Sequence, residues 1–349
     1  MISVSSANDE AASNSHGEII TSLGCCSSNI DDQDVKMKEE DYTYMDPLLY
    51  RAAADGNFQP FDVIEKELSL IITPDKNTIL HIHIRSQAIQ STTTSFMEQL
   101  VAKCPSLWLQ VNAIGDTPLH VAAKYGNNLA VQFLIDSVKV ENDQRVLSDD
   151  DIKQMLRKTN NAGNTPLHEA VQHDFYEVVI ILSKEDPDFL YPVNNLDETP
   201  LYLAVEKGYH MVDEILKGCK KLAYEGPHGR TALHAAAKES YNNDIARKLL
   251  ERKKSLAKKV DEYGWTPLHY AAYYGRDSMV KVLLEFDVCA AYIGDKERKM
   301  TPLHHSCIYH SCIRNVMALL GVCHSESMID QDHLDHQSIR PNQSYLKKD

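Results

Sequence analysis

Through the middle of the chain, runs with apolar residues three and four positions apart alternate with alanine-rich stretches, and polar clusters holding glycine separate the pairs. Val131, Phe133, Leu134 and Ile135 form one run, Val178, Ile181 and Leu182 another, then Val212, Ile215 and Leu216, and Met279, Val280, Leu283 and Leu284. Such spacing puts one apolar stripe on each of a series of helices. Ahead of the runs stands a recurring tetrapeptide: Thr117-Pro118-Leu119-His120, Thr165-Pro166-Leu167-His168, Thr199-Pro200-Leu201-Tyr202, Thr231-Ala232-Leu233-His234, Thr266-Pro267-Leu268-His269 and Thr301-Pro302-Leu303-His304. Threonine can cap a helix by accepting from an orphan amide, and proline at the first helical position has no amide to lose. The pair therefore predicts where a first helix starts. The leucine points inward, the histidine can tie its ring back to the threonine, and Ala122-Ala123, Ala235-Ala236 and Ala271-Ala272 let neighbouring helices approach closely.

The tetrapeptides recur at separations of 48, 34, 32, 35 and 35 residues. A period near 33 with this signature is that of the ankyrin repeat. Weaker copies lie upstream at Thr78-Ile79-Leu80-His81 and at Leu49 to Ala53, the latter preceded by Asp46-Pro47. The predicted fold class is all-α: an ankyrin-repeat solenoid of about eight helix-turn-helix modules with β-hairpin fingers. Gly126, Gly208 and Gly275, nine residues after a threonine, suit left-handed ends of first helices. Gly115, Gly163, Gly229 and Gly264 suit the turns of the fingers. Departures are predicted where His83 and Ile84 fill the small-residue pair, where Asp174, Ser240 and His310 replace the helix-ending glycine, and where Lys299 replaces a finger glycine. The long separation carries an insert at about 136–158, in which Ser148 and the aspartates after it start an extra capped helix.

The 349 residues carry 36 basic and 50 acidic side chains, a net charge of −14. Residues 1–46 hold ten acids against Lys36 and Lys38. The expected domains are a disordered acidic segment at 1–44, repeats at 45–322 and a polar tail at 323–349. This acidity repels phosphate backbones and argues against nucleic acid as a partner. The start has neither the basic nor the apolar stretch of a signal peptide. No window reaches the roughly 18 apolar residues of a membrane helix; 313–323 is too short and contains Arg314. A cytoplasmic chain is expected, with its eight cysteines, irregularly spaced, as reduced thiols.

His168-Glu169 with His173 has the residue types of a zinc-protease helix, but a five-residue step separates the histidines by about 140° on a helix. His304, His305, Cys307, His310, Cys312, Cys323 and His324 have soft ligand atoms without a paired CxxC spacing, and a degenerate last module accounts for them. Arg247, Lys248, Arg252, Lys253, Lys254, Lys258 and Lys259 form the strongest basic stretch, read as a solvated second helix whose leucines turn inward. Cys25-Cys26 is read as unmodified. No phosphate-cradling loop, nucleophile elbow or kinase loop is found, so no catalytic residue, metal, cofactor or small-molecule substrate is expected. Other proteins are the expected partners. The candidate contact residues lie on the fingers and the exposed ends of first helices: Tyr263, Trp265, Tyr273 and Tyr274, with Tyr125, Lys124, His173 and Lys207 at matching places. Trp and Tyr are favoured interface anchors, and these rings are expected to have no core to fill; the alternative is that Trp265 covers the neighbouring finger.

The strings MLRKTNNAGNTPLHEAVQ, DPDFLYPVNNLDETPLYLAVEKGY, GRTALHAAA and DEYGWTPLHYAAYYGRDSMVKVLLEFD resemble the plant ankyrin proteins of the accelerated-cell-death type. The resemblance covers about 45–310, insert included. It implies a scaffold in defence and salicylic-acid-linked cell-death signalling. Family members usually continue into a block of membrane helices, whereas the residues after Leu320 are polar, so a truncated or spliced form is expected. The alternative is that the chain is the cytosolic portion of a membrane-anchored signalling or transport-like protein.

Overall fold

The structure, a computed structural model, describes residues 42–87, 94–136, 149–208, 210–239, 242–309 and 321. Each first helix begins one residue after its threonine or, in the first module, after Asp46. The modules are α1 (Pro47–Asp55) with α2 (Gln59–Asp62), α3 (Ile79–Ser86) with α4 (Ser95–Lys103), and α5 (Pro118–Lys124) with α6 (Asn128–Asp136). After the insert helix α7 (Asp149–Arg157) come α8 (Pro166–Gln172) with α9 (Tyr176–Glu185), α10 (Pro200–Lys207) with α11 (Val212–Gly218), and α12 (Ala232–Lys238) with α13 (Asn243–Arg252). The seventh module is α14 (Pro267–Tyr273) with α15 (Asp277–Phe286), and α16 (Pro302–Tyr309) opens the eighth. The start of the insert, Ser240, His310 and the remainder of the eighth module lie outside the described residues, as do the segment 1–41 with Cys25-Cys26 and the tail 323–349. Among the described residues no helix is long and apolar enough to cross a membrane.

First helices pack on first helices, from α1 on α3 through α14 on α16, and among second helices α9 packs on α6 and α11, and α13 on α15. The paired alanines are all buried. With Leu134, Ile135, Val178, Leu182, Ile215, Leu216, Val280 and Leu283 they belong to one continuous core. Burying a leucine contributes roughly 2 kcal/mol. A single module has apolar faces on two sides, so only stacking buries both.

Three details differ from the sequence reading. Thr43–Tyr44, assigned there to the acidic segment, form a strand β1 that pairs in parallel with β2 (Ile71–Ile72). The fingers are not paired strands. Each is a tight turn held by a few main-chain bonds, such as Asn112 N–H to Asp116 O at 3.0 Å and Asp261 N–H to Trp265 O at 3.0 Å, and pairing goes no further than single antiparallel bridges at Ile72–Thr78 and Glu225–Thr231. Gly126 and Gly275 take the left-handed conformation (φ 67° and 68°), but Gly208 (φ 144°, ψ 158°) ends α10 in a glycine-only extended form. The glycine at 126 is doubly required, since a Cβ there would enter the ring of Phe175. Asp174 (φ 65°) and Lys299 (φ 57°) hold left-handed backbones without being glycine.

Candidate interaction surface

Four fingers are fixed by an Asn or Asp five residues before the threonine. Asn112 Oδ1 accepts from the amides of Ile114 (3.1 Å) and Asp116 (2.9 Å), and Asn160 Oδ1 from those of Ala162 and Asn164 (3.0 Å each). Asn194 and Asp261 do the same. These side chains copy a backbone turn. Neighbouring fingers are then joined by main-chain bonds, for example Asn161 N–H to Ile114 O at 3.0 Å.

The tetrapeptide histidine clamps one module to the next. In the third module Nδ1 of His120 accepts from the Thr117 amide (3.3 Å) and hydroxyl (2.8 Å), and its Nε2–H donates to the carbonyl of Asn164 in the following finger (2.9 Å). His81, His168, His234 and His269 make the equivalent bonds to the carbonyls of Asp116, Glu198, Trp265 and Met300. An Nδ1 that accepts and an Nε2 that donates require the neutral ring. Burial disfavours the charged form, lowering the pKa to about 4 for His81, His120, His168 and His234 and to about 3 for His269. His168 therefore has both ring nitrogens in structural bonds, and Glu169 accepts from Asn160 (2.9 Å) and Asn164 (2.8 Å). His304 bonds its own Thr301 (2.8 Å), and His305 reaches Asp295 (3.1 Å). The rest of the late His/Cys group, apart from Cys307, lies outside the described residues.

The aromatic candidates in the seventh module divide. Tyr263 is 37% exposed at its fingertip, 6.5 Å from the ring of His228. Trp265 is half-buried: its ring lies 4.5 Å from His305, 5.3 Å from Tyr270 and 5.4 Å from Tyr273. Contrary to the expectation that these rings have no core to fill, Trp265 and Tyr274 pack against the core, because α16 brings His305 against the indole. Tyr273 and Tyr274 meet edge to face at 5.1 Å. His173 bonds the Glu169 carbonyl (3.0 Å), and Lys207 is exposed in the last turn of α10.

Tyr125 and Lys124 are brought into a groove of about 940 Å³ across the first three modules, floored by Met45, Ile82 and Val121 and edged by Tyr50, Arg51 and Arg85. Arg85 lies over the ring of Tyr125 (5.4 Å), and Lys124 stands 4.0 Å from Asp116, whose pKa burial raises. Sequence reading missed Arg51 and Arg85, which gather only when first helices stack. The basic stretch does the reverse and disperses. Arg247 pairs with Glu285 (2.6 Å), Lys248 with Asp213 (2.6 Å) and Lys258 with Asp287 (2.9 Å), while Arg252 bonds the Leu216 carbonyl and Lys253 covers Tyr224.

Comparison with known proteins accords with this architecture. The family described as ankyrin repeats (3 copies) matches residues 86–191, 145–224, 185–260 and 201–291, which overlap to cover more than half the chain. Protein ACCELERATED CELL DEATH 6 of Arabidopsis thaliana is 24% identical over 287 residues, 74% of this chain and 40% of that protein, so the chain spans about two fifths of that relative's length. Similar solved structures include an ankyrin repeat domain from Acinetobacter baumannii (21% identity, covering 59% of this chain and 97% of that one, TM-score 0.48). The ankyrin repeat domain of human ASB11 is 24% identical, covering 69% and 98%, with a TM-score of 0.46. That of Bcl-3 is 21% identical, covering 79% and 99%, with a TM-score of 0.45. With its capped first helices, histidine clamps and finger turns repeating at the matched residues, the chain belongs to the ankyrin-repeat family.

Proposed function

We propose that this chain is a non-catalytic scaffold that holds protein partners on its fingers and first helices, in plant defence or stress signalling. The groove of the first three modules carries the reading. Its apolar floor is edged by Arg51, Arg85 and Lys124 against Asp75 and Asp116, a local cationic excess around a greasy trough in a chain whose net charge is −14. That chemistry fits an acidic segment with apolar anchors, drawn in by charge and held by burial. A second contact is proposed at Tyr263, with Tyr273 and Tyr274 beside it. The defence setting, and the link to salicylic acid that comes with the family resemblance, draw on the likeness to Protein ACCELERATED CELL DEATH 6.

Affinity capture from plant extract tests the scaffold role. The double variant Arg51→Glu with Arg85→Glu should lose the partners captured by the unaltered chain, with its unfolding midpoint nearly unchanged, and capture should weaken as salt rises. Tyr263→Ala should weaken it at the second contact. Capture unaffected by all three substitutions would sink the assignment of these surfaces.

A further inference from the structure

From the second module to the eighth, six junctions join neighbours, and five carry two links: the histidine bond to the next module's carbonyl and the bond between fingers. The finger bonds are Ala113 N–H to Asp75 O, Asn161 to Ile114, Asn195 to Ala162, Glu262 to His228 and Lys296 to Tyr263, all 2.9–3.0 Å. The junction between the fifth and sixth modules is built differently at each point. Pro227 occupies the donor position of the finger and has no N–H to give Leu196. Gly226 stands where four of the other fingers have their Asn or Asp, and the ring of Tyr202 fills the space a Cβ would need. Tyr202 replaces the clamp histidine, and one hydroxyl cannot do the work of two ring nitrogens. The Thr199 amide and hydroxyl instead reach the carbonyl of Glu225 (3.2 and 2.9 Å). The first helices α10 and α12 pack as closely as α12 on α14, but the second helices α11 and α13 pack less closely than α9 on α11 or α13 on α15. Across them run the half-exposed pair of Lys248 with Asp213 and the bond of Arg252 to Leu216 O.

We propose that the repeat stack is jointed here: the described residues of the first five modules and those of the last three form two blocks that open and unfold separately, with surface ion pairs of the basic helix α13 helping to strap them together. Exposed ion pairs are weak and screened by salt, so the strap loosens as salt rises and leaves the two Thr199 bonds to the Glu225 carbonyl to hold the junction. The joint also lies between the groove of the first three modules and the aromatic patch of the seventh.

The chain's two tryptophans stand on opposite sides, Trp108 in the first block and Trp265 in the second. Urea unfolding of the full chain, followed by fluorescence in Trp265→Phe and in Trp108→Phe, reads each block alone. Hydrogen exchange on the unaltered chain reads both without any tryptophan change. The expected result is two midpoints, moving further apart at about 0.5 M NaCl, and two levels of amide protection divided near residue 220. The triple variant Tyr202→His, Gly226→Asn, Pro227→Asn restores the clamp, the finger turn and the amide donor, and should bring the midpoints together and even out the protection. Gly226→Asn alone should instead destabilise, because the new side chain meets the Tyr202 ring. One uniform level of protection in the unaltered chain, or a separation that the triple variant leaves intact, overturns the joint.

Discussion

The clamp histidines make stability depend on pH in a way that can be worked from the structure. His81, His120, His168, His234 and His269 are held neutral, four with pKa values of about 4 and one of about 3. An unfolded histidine titrates near 6.5. As pH falls below that value the unfolded chain takes up protons that the folded chain refuses, so stability is full above about pH 7 and drains between 6.5 and 4, with no further loss from these groups once the folded rings are protonated. At pH 5.5 the unfolded imidazole is protonated about ten to one, which costs about 1.4 kcal/mol per histidine and about 7 kcal/mol over all five. Asp116, Glu198 and Asp261 act oppositely. Burial raises their pKa values, and the resulting penalty is relieved as pH drops through those raised values. His83 and His305, whose pKa values burial also lowers, add to the loss, so the measured value is the balance between these histidines and the three carboxylates. Urea titrations followed by circular dichroism at half-unit steps from pH 7.5 to 5, at constant ionic strength, give the slope directly. The variant His120→Gln should flatten it by about a fifth. A midpoint constant over that range would refute neutral, doubly bonded rings and with them the clamp.

Three further outcomes can be measured by the same denaturation assay. Ala272→Leu, at a fully buried site in α14, should cost about 1–3 kcal/mol by overpacking; wild-type melting would contradict the assigned helix contact. Trp265→Ala should lose roughly 2 kcal/mol, since half of a large aromatic group leaves its contacts with His305 and Tyr270; unchanged stability would return the indole to a purely recognising role. Lys299→Gly should stabilise by up to about 1 kcal/mol by relieving a left-handed lysine, and a loss instead would show that the lysine side chain holds the last finger.

Much of this architecture is written in letters at fixed spacing. Thr117, Pro118 and the alanines after them act within their own module through capping, a missing amide and small volume, so the sequence displays them directly. The far bond of His120 ends on a main-chain carbonyl, which every residue possesses, and no letter marks it. The finger residues Asn112, Asn160, Asn194 and Asp261 do recur at a constant offset, but in three of these four fingers the glycine two residues before the threonine carries the stronger turn signal. The candidate surface was less legible for a related reason. Arg51, Arg85 and Tyr125 belong to three successive modules and meet only after stacking, while the packing of Trp265 depends on α16, which follows more than 35 residues later.

The insert between the third and fourth modules has a consequence for how such a chain can grow. Although α7 and its approach lengthen that step, the bond from His120 to the Asn164 carbonyl is still 2.9 Å, and the one from Asn161 to Ile114 is still 3.0 Å. The registering atoms sit on the first helix and the finger, whereas the added residues leave from the end of the second helix. That exit is a tolerant seam, where duplication, splicing or a laboratory graft can lengthen the protein without disturbing its pitch.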